Sequence, residues 1–97
     1  MTKYIHTLAV AVEAHGETLT TLELERPTAE QVGRFGLPYI AIGESPDFKM
    51  PVVMKYIATL AGVPPSTVNQ LDVSDLNDLA WALLRFFLSS AAAPPKS

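Results

Sequence analysis

Residues 8–25 read Leu8-Ala9-Val10-Ala11-Val12-Glu13-Ala14-His15-Gly16-Glu17-Thr18-Leu19-Thr20-Thr21-Leu22-Glu23-Leu24-Glu25, and the fold turns on how they pair. The first half is ambiguous. Ile5, Leu8, Ala9 and Val12 fit a helical stripe that Gly16 would stop, whereas Leu8, Val10 and Val12 fit strand alternation. The second half decides between them. Residues 18–25 are β-prone, Leu22 and Leu24 alternate with Glu23 and Glu25, and a strand needs a partner. The nearest partner lies across His15-Gly16. A two-residue loop there would pair Leu8 with Glu23. A three-residue loop, Ala14-His15-Gly16, pairs Leu8 with Leu22, Val10 with Thr20 and His6 with Leu24, collecting apolar side chains on one face. Gly16 supplies the left-handed residue that such a loop needs. The expectation is a β-hairpin with this bulged turn, at the mild cost of Glu13 opposite Glu17.

Arg26-Pro27-Thr28 ends the second strand. Thr28 with Gln31 forms a capping box that opens a short helix through Phe35, with Val32 and Phe35 as its core contacts. Gly36 closes that helix and Pro38 prevents its continuation. Gly36, Pro38, Gly43, Pro46 and Pro51 read as a loop over residues 36–51. A helix starts at Pro51, with Val53, Met54, Ile57, Leu60 and Ala61 on its apolar face and Gly62 at its end. Residues 65–71 give one or two helical turns that point Val68 and Leu71 inward. The last helix runs over residues 74–88, with Asp72 or Ser74 as N-cap. Asp75 and Asp78 suit its positive end. Together these elements predict an α+β chain: an N-terminal β-hairpin, then three to four helices. One domain is expected over residues 1–88, with a flexible tail over 89–97.

The final helix carries the most informative pattern. One face is Leu76, Leu79, Ala80, Leu83, Phe86 and Phe87; a second strip is Trp81, Leu84 and Leu88. A helix apolar on both sides must be buried on both sides or bound to something. A small core covers one side, and each large side chain left wet forgoes about 1.5–3 kcal/mol of burial. Trp81, Leu84, Phe86, Phe87 and Leu88 are therefore the candidates for contact with a client or with a second copy. The competing reading packs Trp81 under the hairpin as ordinary core.

Composition limits the chemistry. The chain has 97 residues, a net charge of −3, 48% hydrophobic residues and no Cys. A disulfide scaffold, a Cys-ligated metal site and a thiol nucleophile are excluded. A pI near 5.2 opposes general attraction to nucleic acid or anionic lipid. Arg85 interrupts the longest apolar run, so no membrane span is expected, and residues 8–12 are short for a leader; the chain reads as cytoplasmic. His15 lies in the turn and His6 near the start of the first strand, too far apart to share a metal. Asp72, Asp75 and Asp78 repeat at helical spacing, but capping and the helix dipole account for them. No phosphate loop, calcium loop or nucleophile motif is present, so neither catalysis, a cofactor nor a metal is expected.

Residues 52–71 offer one sharper alternative. Ala61-Gly62-Val63 followed by Thr67-Val68 resembles a repressor-type helix-turn-helix, in which Ser66, Thr67, Asn69 and Gln70 would touch bases. Yet no Lys or Arg lies between Tyr56 and Leu84 to neutralise phosphates.

The order of parts carries a family resemblance. Leu22-Glu23-Leu24-Glu25-Arg26-Pro27-Thr28 ends the hairpin. Leu60-Ala61-Gly62-Val63-Pro64-Pro65, then Val68 and Leu71, precede Ser74-Asp75-Leu76 at the final helix. Over about residues 16–88 this resembles the small tail assembly chaperones of contractile-tailed phages and prophages. Val63 stands where that family more often has Leu. The resemblance implies a non-enzymatic protein of the host cytoplasm. It would bind the tape measure protein, help tail tube protein assemble around it and be absent from the finished virion. It also implies that a longer, frameshifted form is made in many cases. Homo-oligomers through the strip on the last helix would shield it until a client arrives.

Overall fold

The computed structural model describes residues 3–42 and 45–88; the expected tail over 89–97 lies outside them. The order is β1 (Lys3–Ala14), β2 (Glu17–Glu25), α1 (Ala29–Phe35), β3 (Tyr39–Ile42), β4 (Ser45–Phe48), α2 (Met50–Ala61), α3 (Pro65–Val68) and α4 (Val73–Leu88). The fold is α+β, with β1 and β2 paired as the expected N-terminal antiparallel hairpin.

The expected turn is corrected. Ala14 pairs with Glu17, so the loop is only His15-Gly16. Both residues have positive φ, 55° and 78°, as a tight primed hairpin turn requires. An unbroken ladder from that turn would set Leu8 against Glu23 and push a carboxylate toward the core. The chain escapes within the strand instead. Between the pairs Thr7–Thr21 and Val12–Leu19, the four residues Leu8, Ala9, Val10 and Ala11 face the single Thr20. This bulge re-registers the far half of the hairpin, so that His6 meets Leu22 and Tyr4 meets Leu24. The expected pairs of Leu8 with Leu22, Val10 with Thr20 and His6 with Leu24 do not form. The apolar sorting behind them survives: Leu8, Val12, Leu22 and Leu24 are all buried.

α1 forms as expected from its capping box. Gln31 N–H donates to the Thr28 hydroxyl at 3.2 Å, and the Gln31 side chain accepts from Thr28 N–H at 3.0 Å. The loop expected over 36–51 is corrected, because β3 and β4 form a second small hairpin there. Its prolines mislead in isolation. Pro46 pairs with Ala41 in a two-stranded ladder, where each strand has an open edge that tolerates a missing N–H. The bond from Lys49 N–H to Pro38 C=O, 2.8 Å, closes the neck of this hairpin.

α2 begins with Pro51 in its first turn and ends at Gly62, whose left-handed φ of 70° lets its N–H reach Ala58 C=O. Its buried face is Val53, Tyr56, Ile57 and Leu60. The core lies between this face, the inner side of the first hairpin, Val68 of α3, and Leu79, Ala80, Leu83 and Phe86 of α4. A chain of edge-to-face rings crosses it. Phe35 meets Tyr56 at 5.1 Å, Tyr56 meets Phe87 at 5.6 Å, and Phe87 meets Tyr39 at 6.0 Å. Tyr56 also donates its hydroxyl proton to Gly36 C=O at 2.6 Å, and burial pushes its phenol up from the ordinary value.

Candidate functional site

Two features of α4 invite a functional reading, one polar and one apolar. The polar one lies at its N-terminal end. Asp72 caps the helix, its carboxylate accepting from Ser74 N–H at 3.1 Å, as expected. Asp75, read as a dipole partner, is instead only 2% exposed, because it lies on the same stripe as Leu79 and Leu83. Its carboxylate accepts Ala9 N–H at 3.0 and 2.9 Å, Val10 N–H at 3.3 Å and the His6 ring at 2.9 Å. The bulge in β1 frees those N–H groups from the ladder, and Asp75 satisfies them. Burial alone would push the Asp75 carboxyl up. Ala9 N–H, the His6 ring and Val10 N–H outweigh it and hold the carboxyl below its ordinary value. His6 is correspondingly buried, with Tyr4 stacked on it and the Arg85 guanidinium over the Tyr4 ring.

These bonds latch the bulge of β1 to the start of α4. His6, Asp75 and Asp78 bring ligand atoms within 4.8 Å of one another, close enough to raise the question of a metal ion. Both Asp75 oxygens, however, already accept two N–H contacts each, shared among Ala9, Val10 and His6. A cation would have to strip those donors and leave Ala9 and Val10 unpaired. Sequence reasoning missed the latch because its partners lie 69 residues apart. The available signal was a carboxylate on the apolar stripe of α4.

A second clamp lies nearby. Thr67 donates its hydroxyl proton to Glu13 C=O at 2.7 Å, while the Gln70 amide accepts Glu13 N–H at 2.8 Å and donates to Glu13 C=O at 3.0 Å. These bonds answer the helix-turn-helix alternative. α3 has only four residues, and two of the side chains expected at bases are spent on the edge of β1. A recognition helix needs its side chains free for base edges.

The apolar feature is the far strip of α4. Leu84 and Phe86 are buried, each 6% exposed, and Phe87 is half-buried between Tyr56 and Tyr39. Trp81 stays 42% exposed although the Phe48 ring meets it edge-on at 5.2 Å, and Leu88, two turns further on, is 70% exposed. The second hairpin therefore covers part of the strip. Its Tyr39 and Phe48, neither singled out from the sequence, form one cross-strand pair facing α4. Among the described residues, no helix is long and apolar enough to cross a membrane.

No curated protein and no solved structure matches the chain. A family model does, across both hairpins and all four helices: that of the phage tail assembly chaperone proteins, E, or 41 or 14, over residues 5–88. A match over that share of the sequence, with the motifs at 22–28 and 60–71 inside it, makes the chain a member of the phage tail assembly chaperone family.

Proposed function

We propose that the protein is a non-enzymatic chaperone that holds apolar helical segments of the tape measure protein while tail tube subunits assemble around them. It acts in the host cytoplasm and leaves before the virion is finished. One observation carries the reading: Trp81 and Leu88 present large apolar side chains on one side of a helix whose other side buries Leu79, Ala80, Leu83 and Phe86 in the core. A client helix laid along that strip covers both, in the helix-in-groove manner. Leu84 and Phe86 support the strip from within, and Phe87 borders it. In the absence of client, a second copy can cover the same strip.

Calorimetric titration with fragments of the cognate tape measure protein tests this. Trp81→Ser with Leu88→Ser should weaken binding by about tenfold or more, since each large side chain carries about 1.5–3 kcal/mol when fully buried. Circular dichroism should stay unchanged, because both side chains are partly outside the core. Unaltered affinity in the folded double variant ends the proposal.

A further inference from the structure

Along the outer side of α2 runs an apolar trough that the strip on α4 does not use. Its two lobes, about 180 and 260 Å³, meet at Lys55, Ala58 and Pro65. Met54 and Val68 line the first lobe, and Phe35 of α1 lines the second. The small Ala58 side chain leaves the depth between them. From Met54 to Thr59 the helix rises about 7.5 Å, close to the spacing of side chains four or five residues apart on an incoming helix.

The α2–α3 segment that supplies most of the trough is opposite in charge to the rest of the chain. Ten acidic residues outnumber seven basic ones overall, yet residues 48–71 contain no Asp or Glu and two lysines, Lys49 and Lys55. Lys55 lines both lobes, and the Arg34 guanidinium lies 5.5 Å over the Phe35 ring at the wall of the second. Neither Lys55 nor Arg34 takes part in the ion pairs Lys3–Glu23 and His6–Asp75. An apolar floor with a cationic rim selects its occupant by charge as well as by shape.

We infer that this trough docks an amphipathic helix of another protein, one whose apolar stripe is flanked by carboxylates. The site is separate from the strip on α4 and does not depend on the tape measure reading. Two labelled synthetic peptides test it, each of roughly 18 residues with leucines at helical spacing, one flanked by glutamates and the other by lysines. Fluorescence anisotropy at low salt should show the glutamate peptide binding about tenfold or more tightly. The exposed Lys55→Glu change should erase or invert that preference, whereas Trp81→Ser should leave it intact. Overturning results are absence of binding by the glutamate peptide, equal affinity for both peptides, or a preference that ignores Lys55→Glu and disappears with Trp81→Ser.

Discussion

The two ends of α4 are joined to the rest of the molecule by different physics. At its start, Asp75 holds the β1 bulge through directional bonds to Ala9, Val10 and His6. Further along, Trp81 and Phe87 meet the second hairpin through the ring edges of Phe48 and Tyr39. Sliding the first contact strands buried donors, each costing about 1–3 kcal/mol. Opening the second strands no buried polar bond and only exchanges one apolar neighbour for another. The latch therefore fixes where α4 sits, and in the function proposed above the aromatic end is where a client would replace part of the protein itself. This division of labour suits a chaperone, whose binding surface must open while its fold stays closed.

Breaking the latch should have the largest effect. Asp75→Asn keeps the shape but replaces one acceptor oxygen with an NH2 group facing the N–H donors of the bulge. The expected loss is about 3–5 kcal/mol, comparable with removing one partner of a buried charged pair. For a chain of this size that lowers the melting temperature by more than about 10 °C. A loss below about 1 kcal/mol in denaturant unfolding would show that the bulge needs no carboxylate.

The same latch sets a pH dependence. The folded Asp75 carboxyl titrates below 3.8, its ordinary value, so its contribution to stability is present above that value. It is lost as the pH falls through the lower folded value. The stability gap between the native protein and Asp75→Asn should narrow as the pH falls through the folded Asp75 value, other carboxylates largely cancelling in the difference. A gap that widens in acid contradicts the assignment.

What the sequence disclosed follows the same contrast between local and distant chemistry. The capping box of α1, the glycine stop of α2 and the apolar stripe of α4 depend on neighbours in the chain, and all three stand as read. The hairpin was legible in its strands and in its apolar sorting, but not in its register. Parity demanded an odd correction, and nothing local distinguishes a longer turn from a bulge in β1. The bulge is stabilised by a carboxylate from α4, so no window around residues 8–11 contains its cause. The second hairpin was hidden for a related reason. Pro46 argues against a strand locally, and the rings of α4 that Tyr39 and Phe48 meet lie far along the chain.

Loosening the aromatic end should be the mildest change and the most telling one. Phe48→Ala removes the ring that meets Trp81 edge-on while touching none of the bonds to Asp75. Such pairs are worth about 0.5–1.5 kcal/mol beyond the area they bury, so stability should fall only modestly. Trp81 is the sole tryptophan of the chain, so its fluorescence reports this one place. Emission should shift to the red and acrylamide quenching should rise, with far-ultraviolet circular dichroism unchanged. Binding of a tape measure fragment should hold or strengthen, because the incoming helix no longer displaces Phe48. If fluorescence changes and binding collapses, Phe48 belongs to the client surface and the second hairpin is part of the grip rather than a cover over it. If fluorescence is unmoved, the hairpin does not shield Trp81 in solution, and the contrast between a fixed end and an exchangeable end of α4 is lost.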